Sequence, residues 1–207
     1  MFFPATTIFL LVPVLAAASS LIPRQPAPQA RFVGTFTATS GCGAGASLSI
    51  DATGQVATVL LPNYSVTLPG SSNEKRCSVT LPVLFPSNAC TSGTARGTVT
   101  GQVRLPSAGV QATFNGRAYA VSPSPGSVTD VSPDGSWTGP VDERYTLSDE
   151  VGYTLRPDAN NNVVSFTLQG GLQVQPSNAP EGFISNDRFV FDIATQIPCC
   201  EYTTCTR

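Results

Sequence analysis

Histidine is missing from all 207 residues. That absence excludes Ser-His-Asp and Cys-His catalysis, histidine-ligated zinc and the copper-dependent polysaccharide oxidation that requires an N-terminal histidine. Charge is scarce as well: 11 Lys and Arg stand against 13 Asp and Glu, a formal net charge of -2 with pI ≈ 5.0. Lys75 is the sole lysine, and the arginines from Arg96 to Arg188 are scattered singly. No basic stripe exists to neutralise phosphates, so nucleic acid is not an expected partner. Apolar residues at helical spacing are also lacking over any long run, which excludes a helical fold.

No hydrophobic tail follows Cys199, so neither a glycolipid nor a membrane anchor is expected. At the other end, Ile8 to Val14 form a short apolar core interrupted by Pro13, followed by the small residues Ala16-Ala17-Ala18-Ser19-Ser20. This is the pattern of a secretory signal, and it falls short of the roughly 20 apolar residues a bilayer crossing needs. The expectation is a signal peptide over 1-20 and a Pro-rich linker or pro-segment over 21-31, holding Pro23, Pro26 and Pro28. A single domain over 32-200 and a Cys-containing tail over 201-207 complete the chain. A mature chain of that length buries roughly 70% of its unfolded surface without help from a metal.

What is present is β-pattern. Ala46, Leu48 and Ile50 alternate with Ser47, Ser49 and Asp51, and Asp51-Ala52-Thr53-Gly54 turns the chain into Gln55 to Leu61, a hairpin signature. Tyr64, Val66 and Leu68 share one face, which places the sequon Asn63-Tyr64-Ser65 on the solvent side as an N-glycosylation candidate at Asn63. Cys77, Val79, Leu81, Val83 and Phe85 alternate next, and Pro82 within them predicts an edge strand or a bulge. Arg96 to Leu105 is the cleanest strand, with Gly97, Val99, Gly101, Val103 and Leu105 on its apolar face. The pattern recurs from Val110 to Val121, ends at Ser122-Pro123-Ser124-Pro125-Gly126, and turns again at Pro133-Asp134-Gly135. Beyond Leu147 it continues in Val151 to Leu155, Val163 to Gln169, Leu172 to Val174 and Arg188 to Ala194, with Gly, Pro or Asn at the breaks. Roughly ten short strands at this spacing predict an all-β, single-domain antiparallel β-sandwich, jelly-roll-like and stapled by disulfides.

Six cysteines, Cys42, Cys77, Cys90, Cys199, Cys200 and Cys205, in an exported chain predict up to three disulfides, with the pairing open among 15 possibilities. Their spacing lacks the two paired halves of a zinc site, and no metal or cofactor is expected. Asp158-Ala159-Asn160-Asn161-Asn162 opens like a calcium loop, but Val163 and Gln169 replace the glycine and glutamate that such a loop requires, which leaves an Asn-rich turn.

Laid out in order, Gly41-Cys42-Gly43-Ala44-Gly45, Lys75-Arg76-Cys77, Arg96-Gly97 and Thr138-Gly139-Pro140-Val141-Asp142 through Tyr145-Thr146-Leu147 resemble a secreted family from filamentous fungi, the domain of unknown function 4360 family. The likeness covers about residues 32 to 200. The chain departs from the pattern at Ser87-Asn88, in carrying Cys90, and in its Cys-rich tail. The resemblance implies an extracellular β-sandwich and names no catalytic residue.

Two functional classes follow. The first is a non-enzymatic binding or structural protein, secreted or associated with the cell wall, whose partner is a cell-wall polysaccharide or another extracellular surface. Its candidate contact is the loop region bearing Trp137, Asp142, Arg144 and Tyr145, where the Gly139-Pro140 break could hold an aromatic ring outside the core. The second is an acid hydrolase, a glycosidase or carboxyl-type peptidase, whose Asp and Glu side chains meet only in the folded state. Asp142-Glu143 and Asp149-Glu150 are the adjacent carboxylates, and neighbours on a strand point to opposite faces, so neither pair flanks one bond by itself.

Overall fold

The period-two alternation of the chain builds two antiparallel sheets. The computed structural model describes residues 29-85, 91-121, 130-155 and 162-198. Along these run β1 (Arg31–Phe32), β2 (Thr37–Ala38), a 3-10 turn (Ser40–Cys42), β3 (Ser47–Ile50), β4 (Val56–Leu60), β5 (Ser65–Leu68) and β6 (Glu74–Leu84). They are followed by β7 (Thr91–Leu105), β8 (Gln111–Val121), β9 (Gly135–Thr138), β10 (Val141–Leu155), β11 (Val163–Gln175) and β12 (Gly182–Pro198). Sheet A has the order β1-β6-β11-β8-β9, with β2 also on β6. Sheet B has the order β10-β7-β12-β4-β3, with β5 also on β12. From β6 to β8, and again from β9 to β12, each connection carries the chain to the opposite sheet, the alternation of a jelly roll.

Inward-facing residues of both sheets fuse into one core. Phe32 and Phe166 both meet Phe191 across the sandwich, with ring centroids 6.0 and 5.3 Å apart, and Phe114 meets Phe189 at 6.2 Å. Gly97, Val99, Gly101, Val103 and Leu105 are all buried, as their alternation predicts. Ala30 is also fully buried and Arg31 pairs with Leu84, so the sandwich begins slightly before residue 32.

The hairpin at Asp51 forms between β3 and β4. The Asp51 carboxylate accepts from Thr53 Oγ1 at 2.6 Å and from the Gln55 and Val56 amides at 2.9 Å each, and Gly54 takes the positive φ of 77° that closes the turn. These bonds, the Thr53 hydroxyl first, hold the Asp51 carboxyl at about 2, below its ordinary 3.8. A carboxyl depressed in the folded state contributes stability that is present above its unfolded value and lost as pH falls from about 4 toward 2. Asp51→Asn is therefore expected to show a shallower acid limb in urea unfolding than the parent over that window. Parallel limbs would show that these bonds do not couple to folding.

Pro82 departs from expectation. β6 is neither an outer edge nor bulged, since its register with β11 runs unbroken from Val163↔Leu84 to Gln173↔Glu74. The Pro82 carbonyl accepts from the Val33 amide at 3.0 Å, on the side of β1 and β2, and the nitrogen of a strand residue faces the same way as its carbonyl. The missing donor thus faces the gap between those two short strands, where no ladder bond is required.

The break expected at Gly170-Gly171 is also absent, and β11 is one continuous strand. Cys42 and Cys77 form a disulfide. Cys90, Cys199, Cys200 and Cys205, the turns at 122-126 and 158-161, and the signal and linker up to residue 28 lie outside the described residues.

Candidate functional site

The residues singled out around Gly139-Pro140 divide between two surfaces. β9 belongs to sheet A and β10 to sheet B, and the break is where the chain passes from one to the other. Trp137 and Tyr145 meet across that boundary with ring centroids 4.5 Å apart, and Trp137 Nε1 donates to Glu143 Oε1 at 2.9 Å. Trp137 is half-buried against the core, Tyr145 is buried, and the Tyr145 hydroxyl donates to the Ser185 carbonyl at 2.7 Å. Burial raises the Tyr145 phenol above its ordinary pKa, so it stays a hydrogen-bond donor. Asp142 and Arg144 point the other way, onto the outer face of sheet B. There Asp142 accepts from Gln102 at 3.4 Å and Arg144 donates to Asp187 at 2.9 Å. The aromatic pair closes one side of the sandwich, and the two charged residues are not brought to it.

Arg144 and Tyr145 do line a hollow of about 400 Å³ on sheet B with Asp187 and Arg188, and a larger one lies on the outer face of sheet A. A cleft of about 590 Å³ opens over β6, β11 and β8. Three cross-strand rows build it. Glu74 faces Gln173, the middle row is Arg76, Gly171 and Asn115, and Ser78 faces Gln169 and Arg117. Thr39 closes one end: its hydroxyl accepts from the Ser78 amide at 3.0 Å, and its own amide donates to the Ser78 carbonyl at 2.9 Å. Because Gly171 has no side chain, the centre of the middle row is hollow. A Cβ built there would meet only the Asn115 carbonyl, at 3.9 Å.

The floor is held from beneath. Gly170 faces inward, where a Cβ would stand 3.0 Å from Phe114 and Phe189 and 3.2 Å from the Tyr64 hydroxyl, so any side chain there would press on all three. Tyr64, which precedes β5, reaches across the core and donates to the Gly170 carbonyl at 2.5 Å. Burial pushes the Tyr64 phenol well above its ordinary pKa and keeps this proton in place. Sequence reasoning read the glycine pair as a strand break. The available signal was that glycine inside a strand pattern also marks a bulge or a close backbone approach.

The cleft's charges are already paired. Arg76 Nε lies 2.5 Å from Glu74 Oε1, and Arg117 lies 2.8 Å from Asp130. The Arg117 guanidinium also sits over the Tyr119 ring at 5.0 Å, and Gln169 Nε2 donates to the Tyr119 hydroxyl at 3.1 Å. Among the described residues, Glu74 is the one carboxylate lining the cleft. The sequence-adjacent carboxylates separate as expected. Glu143 binds Trp137 while Asp142 faces out, and Asp149 accepts from the Ser132 amide while Glu150 pairs with Arg96. Among the described residues, no three Cys, Asp or Glu side chains converge to hold a metal ion.

Asn63 lies exposed on the turn into β5. Its Nδ2 donates to the Ala44 carbonyl at 2.7 Å, and its carbonyl accepts from Lys75 Nζ at 2.7 Å.

A family model described as "Domain of unknown function (DUF4360)" matches residues 31–205. No curated protein matches the chain. Among solved structures, similar folds include TmCBM61 in complex with beta-1,4-galactotriose, at 12% identity and TM-score 0.28, covering 79% of this chain and 88% of that one. Another is the Clostridium thermocellum xylanase 10B CBM22-1-GH10 modules complexed with xylohexaose, at 11% identity and TM-score 0.30. That overlay covers 80% of this chain and 26% of the other. Overlays this loose assign neither residues nor ligands.

Proposed function

Because the chain belongs to the DUF4360 family, whose description specifies no activity, we propose a function from the site itself: a secreted, non-enzymatic binding protein that holds an extracellular or cell-wall polysaccharide in the cleft over β6, β11 and β8. The observation that carries this reading is the cleft's composition. Amide and hydroxyl side chains surround a glycine floor, and they can donate to and accept from sugar hydroxyls together. Its volume lies within the range typical of ligand sites, and most of its lining stands on the paired strands β6, β11 and β8. An acid hydrolase would need two carboxylates flanking one bond, and among the described residues Glu74 is the one in the cleft and is tied to Arg76.

At Gly171 a Cβ has open space, so Gly171→Trp directs a large ring into the hollow and tests the site, with its urea midpoint as the check on the fold. Retention on insoluble chitin, β-glucan or mannan is expected to fall about tenfold or more in this variant, a change worth about 1.4 kcal/mol. Retention unchanged in Gly171→Trp but abolished by Arg144→Ala would move the site to sheet B.

Secretion by a eukaryotic host is also expected to leave a glycan on Asn63, which is exposed and sits in a sequon. Deglycosylation should lower the intact mass, and Asn63→Gln should abolish that shift. An unshifted mass would mean that the Ala44 bond shields the amide.

A further inference from the structure

Resting on the cleft reading above, we propose that the hollow at Gly171 takes a terminal or branch residue of an uncharged polysaccharide, and not an internal stretch of chain or an acidic sugar. Two observations carry this. The first is closure. Arg76 and Asn115 flank Gly171 across the sheet, and Gln169 and Gln173 flank it along β11. Neighbouring strands are ~4.8 Å apart and same-face residues of one strand ~6.8 Å apart, so the hollow is roughly 10 by 14 Å between flanking backbones and narrower between side chains. A space walled on four sides admits a projecting ring, whereas a chain passing through needs two open ends.

The second is charge. Glu74 neutralises Arg76, and Asp130 neutralises Arg117. Each guanidinium already has a carboxylate beside it, and an acidic sugar in the cleft would also meet the Glu74 charge, so the site offers it no net attraction. The Asn115 and Gln173 amides, in contrast, make no hydrogen bond to any described residue and are free to meet hydroxyls. Among the described residues the cleft lining holds no aromatic ring, Tyr119 lying beneath Arg117, so recognition rests on directed hydrogen bonds and discriminates hydroxyl orientation.

The test follows backbone amide signals of the full sandwich by NMR during titration with neutral oligosaccharides of two and six residues. The series are β-1,3-glucan, α-1,6-mannan and chitin, with hexagalacturonate as the acidic comparison. The expected result is that at least one neutral series shifts Arg76, Gly171 and Asn115. Within that series, two- and six-residue members should bind within about threefold of each other, and Gly171→Trp should abolish the shifts. Affinity rising more than about tenfold with length, or a preference for hexagalacturonate at the same amides, overturns the inference and leaves the cleft as the site. Shifts confined to other residues, or none with any sugar, overturn the cleft reading itself.

Discussion

Replacing Gly101 by alanine is expected to lower the unfolding free energy by about 3 kcal/mol, while the same change at Gly171 raises it by about 0.5 to 1 kcal/mol. Both glycines sit inside central strands, and the difference lies in what each would meet. At Gly101 a Cβ would stand 2.0 Å from the Ser185 carbonyl and 2.6 Å from the Tyr145 ring. The obstacle is the backbone of β12, paired with β7 on one side and with β4 and β5 on the other, and it cannot retreat without opening a ladder. At Gly171 the added methyl only gains an ordinary contact, and the unfolded chain loses freedom. Urea midpoints of the two variants at equal slope would decide this. A Gly101→Ala midpoint equal to the parent's would show that β12 moves more easily than its pairing implies.

Removing the Cys42–Cys77 disulfide is expected to cost about 4 kcal/mol, from the chain entropy released when a loop of 35 residues is no longer closed. Both cysteines are buried, so the Cys42→Ala, Cys77→Ala double variant also leaves a small cavity. The bond ties the turn after β2 to β6, and the glycines around it are there for close approach. A Cβ on Gly41 would overlap the Arg76 carbonyl at 1.8 Å, and Gly43, at φ 83°, lies against Asn63. Arg76 and Ser78 flank Cys77 and line the cleft, so the double variant should weaken saccharide retention along with stability. A loss below about 1 kcal/mol with retention unchanged would show that the ladder between β6 and β11 holds this region unaided.

The outward and inward faces of β7 were legible because every second residue changes polarity, and a slip of one residue would have exposed the whole apolar set. The hairpin at Asp51 was legible because its turn residues are chosen for local bonds. The cleft was not, because it consists of residues from three strands distant in sequence around a residue with no side chain, and Gly171 presents the same letter as a strand end. Asp142 and Arg144 were grouped with Trp137 and Tyr145 by proximity along the chain. The same period-two rule that sorted β7 also separates 142 and 144 from 143 and 145, and Glu143, which bonds Trp137, is the carboxylate that rule selects. Cys42 and Cys77 could not be paired from spacing, because the approach depends on Gly41 lying against β6.

β12 lies in the middle of sheet B, yet it is the last of the described strands in sequence. Until Gly182–Pro198 arrives, β7 and the β3-β4 hairpin have no common partner, and the inner face of sheet A has no complete opposing layer. Pairings of such high contact order close slowly. During synthesis the core is therefore completed only once Gly182–Pro198 has emerged, and until then the preceding strands stay open to chaperones and exposed to misassociation. A nascent chain stalled before residue 182 should remain protease-sensitive throughout, including β6 and β11, although their own ladder is already present.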